Sequence, residues 1–291
     1  MFKPMRFPRE VGTWENHFYF SDFERHYSEI ASFHLDRILG FRRAVPVTGR
    51  YISIAHDVNE KTSETVQKTI FKSPANSLCM VGDCKYYCDT GHAICGHPDE
   101  VEGSFAAYLP SFDDFPITRF FSPYRRSYSK RKKAKWEDYP KYCEEKVLPK
   151  SKYNEGRLFL DMIDMYIFDF LTGNMDRHHM EYFSMVEPEP YLIHLDHGRG
   201  FGKTNHDDLS ILTPLIQCCF IRLSTLKTLV SFYDGPSLSE RMRKAMQNDP
   251  AAPVLLESHL LALDRRVKVI LKHVQKCAKE KSGMVITDDG Y

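Results

Sequence analysis

An apolar run at residues 158–171 does most to limit the folds open to this chain. Its length and its content of Met, Ile and Phe predict a helix that is buried in a core. The run stops just before Gly173, and the loop after it carries Asp176. A shorter, strand-like run at residues 191–195 ends at Asp196, which glycines follow. The sequence therefore predicts a rigid scaffold that presents two acidic loops.

Two carboxylates on flanking loops can divide chemical work between them. Asp176 could accept a proton while Asp196 binds a divalent cation. Phosphoryl transfer in kinases needs this division, because the protein mainly positions the nucleophile and neutralises charge through Mg²⁺ or Mn²⁺. The alternative for Asp176 is an ordinary helix end at which Arg177 and the next histidines offset the helix dipole. That alternative explains the cations but not the acid.

The first third of the chain has strand-like segments and one helix, and the remainder is mostly helical. This order predicts an α+β protein of two lobes, residues 1–109 and 110–291. The predicted helices are 21–39 with a stop at Gly40, a short one within 57–69, 208–233 broken or bent at Pro214, 237–247 and 254–277. The predicted strands are one or two within 41–55, around a turn at Thr48-Gly49, and one at 102–110.

Charge and hydropathy exclude some partners. The 40 Lys and Arg against 39 Asp and Glu give a net charge of +1, which makes no electrostatic case for nucleic acid. No run of eighteen apolar residues exists, so we expect no membrane span. Positive charge is concentrated in a basic block at residues 119–135, interleaved with Tyr124 and Tyr128. This block is either a solvated loop or a site that recognises an acidic or phosphorylated partner.

The eight cysteines indicate an oxidising compartment. Four of them lie within residues 79–95 and predict a small loop closed by disulfides. A zinc site is the alternative, although the spacing lacks the repeated CxxC that zinc sites favour. Adjacent Cys218 and Cys219 point in different directions on a helix, so we expect them to reach different partners, with Cys143 and Cys277 as candidates. The start of the chain lacks the apolar region of a secretory signal, which suggests an N-terminally shortened chain.

Further candidate residues lie near the start of the chain. Lys3 could lie on a strand and pair with an acid of the first helix. Glu24 and Glu29 are about 140° apart around a helix axis and so cannot serve one site identically. Glu24 has an alternative role as the partner of Ser21 in a capping box. Glu181 shares the first acidic loop and either touches a nucleotide or fixes His178.

Several motifs together resemble the Golgi casein kinases, the secretory-pathway kinases of the "family with sequence similarity 20". The matching segments are residues 2–5, 18–26, 33–39, 173–179 and 217–219, and the resemblance covers almost the whole chain. It implies a divergent two-lobed protein-kinase-like fold with a small, partly truncated N-lobe and a larger, mostly helical C-lobe. It also implies a serine/threonine protein kinase that uses ATP and Mn²⁺ (or Mg²⁺) to phosphorylate secreted acidic proteins at Ser-x-Glu sites. The implied location is the Golgi lumen or outside the cell, and the implied partners include a second copy or a pseudokinase paralogue.

The resemblance also implies roles for single residues. Lys3 matches the nucleotide-phosphate lysine with Glu29 as its ion-pair partner, and Asp176 matches the catalytic base. Glu24 and Asp196 match metal ligands, Asp196 also contacting the nucleotide, as does Glu181. The adenine contacts are implied at Ala106, Ala107, Tyr108 and Leu109. The implied disulfides are Cys79–Cys95, Cys84–Cys88, Cys143–Cys218 and Cys219–Cys277.

Two departures from the family pattern and three rival functions remain. His197 stands where the family usually has asparagine, and only two residues precede Lys3. Glu24 argues against the pseudokinase relative, which has glutamine there, and residues 18–21 argue against the xylose kinase. A non-haem iron site built from His194, Asp196 and a later histidine is the third rival. It is disfavoured because residues 207–277 read as helices rather than strands.

Overall fold

The computed structural model describes residues 1–14, 17–19, 22–82, 88–110, 113–186, 190–280 and 284–291. The α-helices are α1 (His26–Leu39), α2 (Glu64–Gln67), α3 (Ser151–Asn154), α4 (Leu158–Thr172), α5 (Thr213–Cys218), α6 (Leu223–Asp234), α7 (Leu238–Met246) and α8 (Glu257–Glu280). The strands are β1 (Phe2–Pro4), β2 (Val47–Ser53), β3 (Ile70–Lys72), β4 (Leu78–Met80), β5 (Ile94–Cys95), β6 (Glu100–Ala106), β7 (Ile117–Phe120), β8 (Met180–Phe183), β9 (Leu192–Ile193), β10 (Phe220–Arg222) and β11 (Val285–Thr287). This content is α+β, as the sequence predicts.

The first sheet has the order β1-β6-β2 with antiparallel neighbours, and it sets Lys3 opposite Ser104. The predicted turn at Thr48-Gly49 is wrong, because β2 runs straight through both residues. Gly49 is needed for another reason. A Cβ atom at this position would lie 2.3 Å from the Cβ of Ala251. The backbone N–H of Gly49 donates to the carboxylate of Asp249. The glycine therefore lets the strand contact the loop before α8.

A second small sheet, β3-β4-β5, contains the first disulfide. Cys79 and Cys95 are directly paired across β4 and β5, and their sulfurs are 2.04 Å apart. The predicted Cys84–Cys88 bond involves Cys84, which lies outside the described residues. Of the two disulfides predicted in this loop, Cys79–Cys95 is confirmed, and it links the neighbouring strands β4 and β5.

Helix α1 begins at His26, not at residue 21 as the apolar pattern predicts. Arg25 still has extended backbone and donates its N–H to the carbonyl of Gly198, 2.7 Å away. This long-range bond fixes the chain before the helix, so Glu24 precedes the first turn. The capping box is therefore wrong for Glu24, while Ser21 lies outside the described residues. Gly40, at φ 81°, ends the helix as predicted.

Helix α4 forms the centre of the main core, and nearly all of its side chains are buried. Residues of α1 and α8, including Ile30 and Leu263, pack in the same core. A smaller core of Ile52, Ile54, Val58, Ile94 and Val101 lies within the first part of the chain. The predicted boundary between residues 1–109 and 110–291 falls between β6 and β7, and it stays a prediction. Helix α1, from the first part, packs in the same core as the later helices.

The predicted helix at residues 208–233 is interrupted in the structure. Pro214 lies in the first turn of α5, where a missing N–H costs nothing, so it does not bend a longer helix. The break comes instead at Cys219, whose φ of 58° is left-handed, and β10 follows it. The adjacent cysteines reach different partners, Cys218 with Cys143 and Cys219 with Cys277. Among the described residues, none of the helices combines the length and apolarity needed to cross a bilayer.

His259, in the first turn of α8, gives a prediction for the pH dependence of stability. The ring is buried, and its Nδ1 accepts the N–H of Leu256 at 3.1 Å. Burial, followed by the charges of Arg25, Arg266 and Arg9, lowers its pKa to about 4. Because an unfolded histidine titrates near 6.5, the unfolded chain binds the extra proton between these values, and stability falls as the pH drops through this window.

We expect the free energy of unfolding to lose roughly 2–3 kcal/mol between pH 7 and pH 4 through this one group. The variant His259→Asn keeps an acceptor for the Leu256 N–H but cannot take up the proton, so its pH slope should be correspondingly shallower. Urea unfolding at several pH values measures the slope. The exposed His56 supplies the control His56→Asn, and equal slopes in all three proteins would contradict the prediction.

Candidate active site

Three predicted acids converge on the side chain of Lys3. The Nζ atom of Lys3, on β1, lies 2.6 Å from Oε2 of Glu24, 2.7 Å from Oε1 of Glu29 and 3.9 Å from Oδ1 of Asp196. Glu24 comes from the segment before α1, Glu29 from the first turns of α1, and Asp196 from the loop after β9. Residues far apart in the chain thus meet around one ammonium group, which lies between the carboxylates of Glu24, Glu29 and Asp196.

Close packing makes this cluster possible at Gly198. A Cβ atom at this position would lie 2.8 Å from the Nζ of Lys3 and 3.1 Å from the Cβ of Glu24. Any larger residue would push the lysine or the glutamate away. The glycine two residues after Asp196 is therefore required by the approach of other side chains and not by a left-handed backbone.

The charges in this cluster stabilise one another. Burial alone would lower the pKa of Lys3, but Glu29, Glu24 and Asp196 outweigh it and raise that pKa above its usual value. Burial would raise the pKa of Asp196, whereas Lys3 and Arg177 lower it, so this carboxylate is ionised at neutral pH. The side chains of Asp196 and Glu24 are 52% and 44% exposed, so a cation can reach them from solvent.

The loop that carries Asp196 is tied to the start of α1. The N–H of His197 donates to Glu29 at 3.2 Å, and the hydroxyl of Ser28 donates to the carbonyl of His197 at 2.5 Å. Asp196 itself has a φ of 57°, a strained value for a residue with a side chain. The ring of His197 packs against Phe168 in the interior, so the departure from asparagine does not put a new group among the acids.

Asp176 lies on the neighbouring loop and is held by three groups. Its carboxylate accepts from the hydroxyl of Tyr128 at 2.9 Å and pairs with the guanidinium of Arg199 at 2.8 Å. Its N–H donates to the side chain of Asn174 at 3.0 Å. Burial raises the pKa of Asp176 above its usual value, and Arg199 and Tyr128 offset this only in part. The result is a fixed carboxylate with increased affinity for a proton.

Arg177 joins the two acidic loops, a role that sequence reasoning missed. Its guanidinium donates to Asp169 at 2.8 and 2.9 Å and also to the carbonyl of Leu195, next to Asp196. Tyr128 and Arg199 were missed as well, although the basic block and the glycine-rich segment that contain them stand out in the sequence.

Glu181 lies on β8, beside the acidic loops. Its carboxylate pairs with Arg119 of β7 at 2.8 Å and lies 3.3 Å from His179, whereas the predicted partner His178 lies 3.8 Å from Asp176. The predicted adenine segment follows β6. Within it, the N–H groups of Ala106 and Ala107 donate to the carbonyls of Met1 and Pro46, at 2.9 Å each. Tyr108 is 87% exposed and Leu109 partly so, which leaves the later half of the segment open to a ligand.

The donor set suits a divalent cation that binds together with a substrate. Within the described ranges, no group of three or more His, Cys, Asp or Glu side chains is arranged to hold a metal by itself. Glu24 and Asp196 nevertheless offer two solvent-exposed carboxylates, both within 4 Å of the ammonium group of Lys3. Mg²⁺-like cations are commonly bound by one or two carboxylates together with substrate phosphates and waters. The residues present fit that kind of site, with Lys3 placed to balance the remaining charge.

Comparison with known proteins settles the family. The model of the C-terminal region of Golgi casein kinase, Fam20, matches residues 1–285. The chain belongs to this family. Its Fam20 relatives include "Extracellular serine/threonine protein CG31145" of Drosophila melanogaster, 54% identical over 96% of this chain and 53% of the relative. They also include "Extracellular serine/threonine protein kinase FAM20C" of Homo sapiens, 50% identical over 99% of this chain and 50% of the relative.

A solved Fam20 structure agrees with the fold. The crystal structure of the Golgi casein kinase with Mn/ADP bound matches with a TM-score of 0.94 and 47% identity, covering 98% of this chain and 69% of that one. Fam20 pseudokinases and glycosaminoglycan xylosylkinases are among the relatives too. The chain spans about half the length of the curated protein kinases that it matches. The divergent kinase-like fold implied by the resemblance is confirmed.

Proposed function

We propose that this chain is the phosphotransfer region of a serine/threonine protein kinase that phosphorylates secreted acidic proteins at Ser-x-Glu sites. The observation that carries the proposal is the convergence of Glu24, Glu29 and Asp196 on Lys3, with Asp176 on the adjoining loop. Kinase chemistry requires both a cation site and a proton acceptor. The similarity to extracellular protein kinases supports the same assignment.

In this proposal Glu24 and Asp196 hold Mn²⁺ or Mg²⁺, and Lys3 contacts the phosphates of ATP. The similarity to a Golgi casein kinase crystallised with Mn/ADP bound supports this choice of cation and nucleotide. When bound, the cation neutralises the charge that develops on the transferred phosphoryl group. Glu29 keeps the ammonium group of Lys3 oriented, since it accepts a hydrogen bond from that group at 2.7 Å.

Asp176 is proposed as the catalytic base. Its carboxylate takes the proton from the substrate hydroxyl as the oxygen attacks phosphorus. Arg199 and Tyr128 fix the orientation of this carboxylate. Its raised pKa suits a proton acceptor, because the acceptor must retain the proton during transfer.

The nucleotide base is proposed to bind next to Ala106, Ala107, Tyr108 and Leu109. Because Ala106 and Ala107 already donate their N–H groups within the protein, the polar contacts to adenine fall to the backbone of the exposed half. Glu181 is proposed to contact the nucleotide from the opposite side. Its pairing with Arg119 holds the carboxylate at the edge of β8.

Two relatives supply the competing functions, a partner-activating pseudokinase and a glycosaminoglycan xylosylkinase. The pseudokinase alternative is weakened by Glu24, which provides a carboxylate in the cation cluster. The xylosylkinase alternative shares this cluster and differs in the acceptor. We favour the protein kinase over the xylosylkinase because human FAM20C is 50% identical to this chain and human xylosylkinase is 39% identical.

The setting proposed is the Golgi lumen or the outside of the cell. Disulfides at Cys79–Cys95, Cys143–Cys218 and Cys219–Cys277 require oxidising conditions to persist. The relatives named as extracellular kinases support secretion. A homodimer, or a heterodimer with a pseudokinase paralogue, is proposed on the strength of the pseudokinase relatives alone.

Transfer of label from γ-labelled ATP tests the assignment. We expect Mn²⁺-dependent labelling of a Ser-x-Glu peptide and no labelling of a xylosylated glycan acceptor. The isosteric variant Asp176→Asn removes the proton acceptor and should lower the rate by about a hundredfold or more. Labelling of the glycan alone would favour the xylosylkinase, and nucleotide binding without any labelling would favour the pseudokinase.

A further inference from the structure

A basic cavity of about 340 Å³ opens beside the candidate active site. It is formed by part of the basic block and by the segment that contains Phe18 and Tyr19. Its charged lining residues are Arg126, Lys130, Arg131, Lys132, Lys133 and Glu137. A solvated loop, one of the two interpretations of the basic block, requires no cavity. A concave site with five cations around it fits recognition of an anion.

Three exposed cations of this set have no counter-ion among the described residues. In the part of the chain that the structure describes, Lys130, Arg131 and Lys132 form no ion pair and are exposed. By contrast, Lys133 pairs with Asp138 at 2.7 Å. The acidic Glu137 accepts the N–H of Ala134 at 2.6 Å, so it is engaged with its own loop. The cavity therefore has a surplus of positive charge that a bound anion would balance.

The cavity lies within a short reach of Asp176. Ser127 and Ser129 line it, and Tyr128 between them donates its hydroxyl to Asp176 at 2.9 Å. Tyr19, another lining residue, packs edge-on against the ring of Tyr128 at 5.5 Å. One tyrosine side chain thus spans the gap from cavity to carboxylate. An extended peptide advances about 6.6 Å over two residues, which is close to that reach.

We propose that Lys130, Arg131 and Lys132 form a specificity subsite for the acidic side chain two residues after the phosphorylated serine. The inference rests on the proposed kinase function, which places the substrate hydroxyl at Asp176. The shared ligand chemistry is a carboxylate or a phosphate group, so glutamate and phosphoserine are both candidates. The three residues act on substrate choice and take no part in the transfer step.

The test compares three peptides that differ at this one position: glutamate, phosphoserine and glutamine. The enzyme variant Lys130→Ala/Arg131→Ala/Lys132→Ala removes the proposed subsite, and Lys135→Ala is a matched control from the same exposed loop, outside the cavity lining. We expect the ratio of kcat/KM for glutamate over glutamine to fall about tenfold in the triple variant and to be unchanged in the control. The wild-type preference between glutamate and phosphoserine identifies the better ligand.

A binding measurement separates this inference from the kinase assignment. A fluorescent peptide with alanine in place of serine, followed by glutamate at the same position, cannot be phosphorylated. Its anisotropy titration with wild-type protein, ADP and Mn²⁺ should give a Kd about tenfold lower than with the triple variant. Equal Kd values, or an unchanged glutamate preference, overturn the subsite. Peptide binding that depends on the subsite, without any phosphorylation, retains the subsite and overturns the kinase function instead.

Discussion

The variant Asp196→Ala is expected to lower phosphate transfer to a Ser-x-Glu peptide by at least about a hundredfold. Asp196 contributes one of the two open carboxylates beside Lys3, and Glu24 alone leaves the cation with a single protein ligand. Weaker binding of the cation removes positive charge from the place where negative charge develops on the transferred phosphoryl group. Initial rates with labelled ATP and saturating Mn²⁺ measure the effect.

Nucleotide binding provides a second reading of the same variant. Mn²⁺ and ADP together should raise the Tm of the wild-type protein, since a ligand that binds only the folded state stabilises it. Asp196→Ala should lose most of this increase while it remains folded. The matched control is Asp234→Ala, an exposed acid at the end of α6. An Asp196→Ala protein with the activity and Tm response of this control would remove the cation site from the proposed function.

The second large effect concerns stability. We expect Arg222→Met to reduce the free energy of unfolding by about 3–5 kcal/mol. Arg222 donates to Asp161 at 2.8 Å, to Asp289 at 2.7 Å and to Asp164. Asp161 and Asp164 are fully buried in α4, so loss of the guanidinium leaves buried carboxylates with too few partners. Burial raises the pKa of Asp164, and the charge of Arg222 is the largest of the effects that oppose this rise.

Urea unfolding under oxidising conditions, with the disulfides intact, measures this loss. Arg243→Met is the matched control, because Arg243 pairs with Glu257 at 2.9 Å on the exposed surface. A surface pair of this kind contributes about 0–1 kcal/mol. Similar unfolding midpoints for the two variants would mean that the buried network does not depend on Arg222.

Local sequence signals were sufficient for much of the fold. The apolar run at 158–171 and the helical pattern at 237–247 predict helices that the structure contains, as α4 and α7, at nearly the same bounds. Long-range contacts explain the failures. Arg25 is held extended by its bond to Gly198, and Gly49 lies in a strand because it pairs with Ser104 of β6. No window of neighbouring residues contains either contact.

The candidate site likewise contains some residues that the local sequence identifies and others that it does not. Asp176 and Asp196 could be recognised from the chain itself, since each follows a rigid element and neither is explained by that element. Lys3 and Glu29 carry no local signal, and only the family resemblance pointed to them. The role of Arg199 could be recognised only in the structure, where its guanidinium lies 2.8 Å from the carboxylate of Asp176.

The hydrogen bonds between α1 and the loop after β9 have a mechanical consequence. Glu24 immediately precedes α1, and the Asp196 loop is attached to the same helix through Arg25, Ser28 and Glu29. Both cation ligands therefore move together with one body when the molecule fluctuates. Movement of other segments of the molecule would therefore leave the spacing of the two carboxylates constant.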